Sequence, residues 1–316
     1  MLIQITILVV SLVVLSFAAN YLVNSSIKIA RKWKVSEMFI GLTIVAMGTS
    51  APEIAVSVFA ALKGQGDLSV GNVIGSNIFN FGFILGLVAI ITPQIITKKT
   101  VYRDGMVLLA STGMILLFMS DMKIAMWEGF MLLATFVGYL TFLVIKKDVT
   151  TEEDDGAKAA AKDYWIFFIS LIFLIKSSDF TVSSAVYIAE YFQISAWAIG
   201  ATIVAAGTSL PEVATSVIAT LKKKFGLSVG NVIGSDIFNT FGIIGISSII
   251  APITLQSKGQ IFGIADSLFS VGLLIATILL ILYFMRTGWK ISRKEGIIIF
   301  VIAILRMGFE IYVGKF

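Results

Sequence analysis

Residues 40–86 and 199–245 are two copies of one segment. Aligned without a gap at a constant offset of 159, they agree at 31 of 47 positions. The register reaches back to Asn20 opposite Asp179 and to Ile29-Ala30 opposite Ile188-Ala189. One fixed offset of this size indicates a single duplication, because a solenoid shows short periods repeated many times. Each copy carries Gly-Thr-Ser-x-Pro-Glu, once at 48–53 and once at 207–212, inside a run of residues otherwise apolar enough to cross a membrane. A proline in such a run removes a helix hydrogen bond and frees a carbonyl, and a carboxylate there is costly without a partner. The partner these residue types suggest is a desolvated cation, held in one site built from two halves.

The apolar character is general. Of the 316 residues, 58% are hydrophobic and 14% charged, whereas soluble domains carry roughly 25% charged residues. The chain is therefore expected to be an all-α membrane protein. Runs long enough for a bilayer core of roughly 30 Å fall into ten segments, near 2–24, 36–62, 69–95, 102–120, 124–146, 164–190, 195–221, 227–252, 261–285 and 296–314. The N-terminus lacks the basic region of a cleaved signal, so 1–24 is expected to be a true first span. Between the fifth and sixth spans lies a polar linker, 147–163, containing Glu152-Glu153-Asp154-Asp155. The chain thus divides into a first five-helix repeat (1–146), the linker, and a second repeat (164–316). With an odd number of spans per repeat, the second must enter the membrane from the opposite side, giving two inverted-topology repeats.

Eighteen of the 24 lysines and arginines fall at the loops after spans 1, 3, 5, 7 and 9, against four on the other side; Lys176 and Arg306 lie within spans. The positive-inside rule then predicts a cytoplasmic central loop and both termini outside the cell. These flanking charges account for the net charge of +5 without a nucleic-acid partner. The absence of Cys and His excludes disulfides, thiolate sites, thiol nucleophiles and imidazole chemistry, and no metal-hydrolase motif points to an enzyme.

Helical spacing places Thr49, Ser50, Glu53 and Ser57 on one face, with Thr208, Ser209, Glu212 and Ser216 repeating them. This is a wall of oxygens with no nitrogen or sulfur donor, the set that hard cations such as Ca²⁺ and Na⁺ take. In the third and eighth spans Asn72, Ser76 and Asn80, and likewise Asn231, Ser235 and Asn239, recur every four residues. These asparagines read either as neutral oxygen ligands or as interhelical hydrogen-bond donors. Gly71/Gly75 and Gly230/Gly234 predict close helix packing. Asp236 replaces Asn77 of the first copy and has three readings: a third site carboxylate, a protonated donor, or a structural partner. Two further pairs, Lys176/Asp179 and Arg306/Glu310, are spaced to bond along their own helices.

At these residues the chain resembles the cation/Ca²⁺ exchanger superfamily, in its prokaryotic sodium/calcium exchanger branch. The motifs G-T-S-x-P-E and G-N-x-x-G-S-x-I-x-N carry the resemblance, which extends over the whole chain. It implies Na⁺-driven Ca²⁺ antiport with a site between spans 2, 3, 7 and 8. The implied Ca²⁺ ligands are Glu53 and Glu212, with main-chain carbonyls of Thr49 and Thr208. The implied Na⁺ ligands are Ala46, Ser50, Ser76, Ala205, Ser209 and Ser235, with Asn80 and Asn239 at the centre. Some family members, including potassium-dependent ones, have an aspartate where this chain has Asn239, which argues against K⁺ dependence. Many bacterial relatives have an acid in the first span where this chain has Asn20. The proton-coupled branch usually shows G-N-A-x-E, which this chain lacks.

The expected activity is therefore an electrogenic Na⁺/Ca²⁺ antiporter in the cell membrane. Ca²⁺ and Na⁺ are its substrates, and neither a cofactor nor an obligate protein partner is called for. H⁺/Ca²⁺ antiport is the alternative, and a cation channel is a rival of another class. Spans 1 and 6 lack the ligand motifs and are expected to slide or rock against the rest.

Overall fold

The computed structural model describes residues 1–146, 159–192, 205–255, 260–261 and 264–313. Most of the expected linker and positions 195–204 of the seventh expected span lie outside them. The described chain is helical apart from two-residue strand pairs. Seven of its helices are long and apolar enough to cross a membrane, or eight if one bent pair counts as a span.

In chain order the helices are α1 (Leu2–Trp33), the bent pair α2a (Glu37–Thr49) and α2b (Ala51–Leu62), α3 (Gly66–Ile91), α4 (Thr100–Asp121) and α5 (Met126–Lys146). The second half holds α6 (Ala161–Tyr191), a short turn Ala205–Gly207, α7 (Leu210–Leu221), α8 (Phe225–Ile250), α9 (Asp266–Arg286) and α10 (Arg293–Val313).

Local sequence explains the boundaries that matter. Helix α1 runs past the expected span to Trp33, where Lys34 takes a left-handed conformation (φ 55°) and ends it. Ser36 then caps α2a, its Oγ accepting from Phe39 N at 3.0 Å. Ser36→Ala is expected to cost about 1 kcal/mol, read as a lower melting temperature of the purified protein in detergent. The axis turns by 49° between α2a and α2b, at the Ser50-Ala51-Pro52 step. Single π turns interrupt α2a at Gly41–Val45, α3 at Phe79–Ile84 and α8 at Phe238–Ile243, the last two at the repeat offset. Such turns insert one residue and re-aim the side chains that follow.

Helices α3 and α8 form the centre. Their most apolar windows are 72% and 83% buried, against 22% for α1, which packs along α6 at the periphery. Gly230 and Gly234 bring α8 against α2a: a Cβ on Gly234 would lie 2.6 Å from Leu42 Cα, and one on Gly230 2.7 Å from Met38 O. The expected packing thus holds for this pair. A Cβ on Gly71 or Gly75 would meet no described atom beyond its own helix within 4 Å; residues 197 and 201, which the repeat offset matches to Met38 and Leu42, are outside the described residues.

Strand Gln94–Ile95, after α3, pairs with Lys290–Ile291, after α9. Strand Lys123–Ile124, after α4, pairs with Ile253–Thr254, after α8. Lys28 at the end of α1 pairs with Asp163 at 2.8 Å, and Lys224 after α7 with Glu37 at 2.7 Å. Each of these contacts joins two segments that the charge count puts on one side of the membrane. Arg306 donates to Ser270 O at 2.7 Å and to Thr277 Oγ1 at 3.4 Å on α9, a cross-helix role that its spacing to Glu310 does not suggest. Lys176 and Asp179 lie on the exposed face of α6.

Candidate cation site

Pro52 has no N–H to offer Gly48 O, and the helical bonds resume only two residues later. Ile54 N donates to Ser50 O, and Val213 N to Ser209 O, both at 3.1 Å. Ser50, and Thr208 with Ser209, fall outside the helical ladder, so the carbonyls of Thr49 and Thr208 stand at the gaps before Pro52 and Pro211. Glu53 and Glu212 occupy the first turns of α2b and α7, where the free N–H groups of a helix start favour negative charge. Both carboxylates are fully buried.

The two halves bond each other reciprocally. Ser50 Oγ donates to Glu212 Oε1 at 2.9 Å, and Ser209 Oγ donates to Glu53 Oε1 at 3.0 Å. Ser235 Oγ reaches Glu212 Oε1 at 3.5 Å. Each glutamate therefore has one oxygen held by a hydroxyl of the other half, while Glu53 Oε2 and Glu212 Oε2 are buried without a partner. Three further oxygens share that condition, Asn80 Oδ1, Asn239 Oδ1 and Asp236 Oδ2. Five unpartnered acceptors, three of them on carboxyl groups, form a set that only a donor or a cation can satisfy. With no side-chain nitrogen base or sulfur among them, they suit a hard cation.

The asparagines divide by role. Asn72 Nδ2 donates to Ser57 Oγ at 2.9 Å and Glu53 O at 3.3 Å; Asn231 Nδ2 donates to Ser216 Oγ at 3.0 Å and Glu212 O at 3.4 Å. These two tie α2b to α3 and α7 to α8. Asn80 and Asn239 lie instead in the π turns, and each is held from the opposite repeat. Asn80 Nδ2 donates to Asp236 Oδ1, and Asn239 Nδ2 to Asn77 Oδ1, both at 3.1 Å.

The remaining expected residues are close by. Thr49 Oγ1 donates to Ala46 O at 3.2 Å and to Asn231 Oδ1 at 3.3 Å. Ala205 opens the short turn before the second break, and Thr208 Oγ1 is buried without a partner. Ser76 is buried one turn before Asn80. Asp236 is fully buried against Asn80, so the carboxyl touches a candidate ligand directly.

The model of the family described as "Sodium/calcium exchanger protein" matches residues 3–145 and 162–312. The chain belongs to the sodium/calcium exchanger family. It is 37% identical over 312 residues to the putative antiporter CaxA of Alkalimonas amylolytica, covering 95% of this chain and 96% of that one. It is 30% identical over 352 residues to the sodium/calcium exchanger MaX1 of Methanosarcina acetivorans, covering 96% and 98%. Among solved structures it is similar to the sodium-calcium exchanger NCX_Mj soaked with Na⁺ and Ca²⁺, with a TM-score of 0.84, 30% identity, and coverage of 97% of this chain and 98% of that one.

Three contacts at this family member's site escaped the sequence reading. Asn77 donates to Asp236 O at 3.3 Å and Thr240 Oγ1 at 3.1 Å. Ser178 Oγ of α6 donates to Gly207 O at 3.1 Å, beside the second break. Leu171 and Val182, also on α6, fill the space above Gly48 and Gly207, so one peripheral helix lies against both breaks. Asn77 and Thr240 were visible only as mismatches between the copies.

Proposed function

We propose that this protein exchanges Na⁺ for Ca²⁺ across a cell membrane by alternating access. The observation that carries the reading is the reciprocal pair Ser50–Glu212 and Ser209–Glu53, with one oxygen of each buried carboxylate left free. A two-fold relation between halves generates such reciprocity. With five spans in each half its axis lies in the membrane plane, and the ten spans form two inverted repeats around a midplane site. The halves are residues 1–146 and 164–316, joined by the linker 147–163.

The free carboxylate oxygens of Glu53 and Glu212, with the Thr49 and Thr208 carbonyls, hold Ca²⁺. Ser50, Ser209, Ser76, Ser235 and the Ala46 and Ala205 carbonyls take Na⁺ on either flank, and Asn80 and Asn239 lie between. Two ionised glutamates give the site a charge that one Ca²⁺ or two Na⁺ cancels. An empty site leaves two bare carboxylates in low dielectric, at several kcal/mol each, which disfavours crossing unloaded and makes exchange obligatory. A third Na⁺ on hydroxyl and carbonyl oxygens makes the cycle electrogenic. The pair α1 and α6 moves against the remaining helices, and each ion shifts the equilibrium only through its different affinities for the two states. The basic side of the bundle is cytoplasmic.

Proton-coupled Ca²⁺ antiport would use the same two carboxylates as proton carriers, and one relative is named an antiporter with no coupling ion. The two readings separate in proteoliposomes. An outward Na⁺ gradient is expected to drive ⁴⁵Ca²⁺ uptake that an inside-negative potential slows, because three Na⁺ leaving for one Ca²⁺ entering carries one positive charge outward. A pH gradient alone is expected to drive none. Uptake on the pH gradient without Na⁺ would decide for protons.

A further inference from the structure

Each candidate asparagine ligand is gripped by the residue three positions before its own equivalent in the other repeat. Asp236 holds Asn80, and Asn77 holds Asn239. In both cases the –NH₂ is drawn away and the oxygen is left without a protein partner. We propose that Asp236 and Asn77 are positioning residues that fix the orientation of the Asn80 and Asn239 amides, so that the site presents carbonyl oxygens and not N–H groups to the cation. The proposal rests on the reading of this site as the Ca²⁺ site.

The physical need is plain. An asparagine turned by 180° about its last bond exchanges an acceptor for a donor of almost the same size, and a donor facing a cation repels it. Something must forbid the turn. Asn77 could itself turn, but its Nδ2 already has two acceptors, Asp236 O and Thr240 Oγ1. That leaves Asn77 Oδ1 to receive Asn239 Nδ2. The hydroxyl of Thr240 is thus part of the device.

In the other repeat the hydroxyl is missing. Position 81, which stands to Asp236 as Thr240 stands to Asn77, is phenylalanine, fully buried. Asp236 Oδ2 has no hydrogen-bond partner. An –NH₂ in its place would have at most the one acceptor the repeat offset offers, the Asn77 carbonyl, and would be held less firmly than that of Asn77 with its two. A carboxyl has no N–H to present in either orientation and always retains an acceptor oxygen. These two mismatches among those between the copies, Asn77 against Asp236 and Thr240 against Phe81, are therefore one mismatch. Aspartate does alone what asparagine and threonine do together.

Direct ⁴⁵Ca²⁺ binding to the detergent-purified protein reads this inference, and Na⁺-gradient uptake reads the exchange on which it rests. Asp236→Asn is expected to weaken Ca²⁺ binding about fivefold, the worth of one hydrogen bond, and to raise the half-saturating Ca²⁺ for uptake equally with little change in maximal rate. Thr240→Val, which alters no charge, is expected to do the same through Asn77. Adding Phe81→Thr to Asp236→Asn supplies the missing hydroxyl and is expected to restore binding although the carboxyl is gone. Unchanged binding in Thr240→Val overturns the proposal, as does failure of a folded double variant to recover, which would assign Asp236 to charge. If the double variant does not fold, Thr240→Val decides alone. Wild-type binding without Na⁺-driven uptake would defeat the exchange reading and leave the amide test standing.

Discussion

Glu53→Gln and Glu212→Gln are each expected to cut Na⁺-driven Ca²⁺ uptake by about two orders of magnitude or more, with the helical bundle intact. The glutamine oxygen can still accept from Ser209 or Ser50, so the contact between the halves survives. What changes is the free position, where an –NH₂ replaces a carboxylate oxygen that has no protein partner. Removing one member of a buried charge pair costs about 3–5 kcal/mol, and each 1.4 kcal/mol is tenfold in affinity. Uptake measured beside a melting curve in detergent separates lost chemistry from lost folding. Uptake at the wild-type rate in either variant would remove the paired-carboxylate site. Because the halves are reciprocal, the two variants are expected to fail alike.

The second large effect is structural. Gly234→Val is expected to destabilise the protein by about 3 kcal/mol or more, at the upper end of overpacking effects, or to prevent its accumulation as a folded species. A Cβ at 234 would meet Leu42 Cα and O at 2.6 Å and Leu42 C at 2.8 Å. These are backbone atoms of α2a and cannot swing aside as a side-chain tip can. The helices would have to separate, and α8 carries Ser235 and Asn239 while α2a leads into the break at Ser50. Gly113→Ala on α4 is the control. No described atom lies within 4 Å of its added Cβ, and alanine is the better helix former by about 1 kcal/mol. Comparable monodispersity of both variants on size exclusion would count against the close approach of α8 and α2a.

Much of this was readable along the chain. Hydropathy marked the apolar helices, Pro52 and Pro211 marked the breaks, and the buried glutamates marked the candidate site, since a carboxylate in an apolar run has few other uses. The duplication announced two equivalent halves. The charge count sorted the loops into two sides, and the cross-repeat strand pairs join loops within each side. The π turns were not readable, because no residue type signals them, yet they separate Asn80 and Asn239 from Asn72 and Asn231 on what looks like one stripe. The full reach of α1 to Trp33 was also hidden, because Lys28, Arg31 and Lys32 read as the loop beyond a span.

Residue types and their spacing along one chain thus establish which oxygens are available, where the proline breaks fall, and that residues 40–86 recur at 199–245. They do not establish which hydroxyl holds which carboxylate, or which way an amide turns. Those choices depend on groups 156 to 163 positions away in sequence, and only the packing of α2, α3, α7 and α8 brings them within hydrogen-bonding distance. Asp236 shows the difference most clearly. In sequence it is an unpaired acid with three readings; in the packed bundle it is the acceptor that keeps one asparagine oxygen turned inward, opposite a phenylalanine where its counterpart has a threonine.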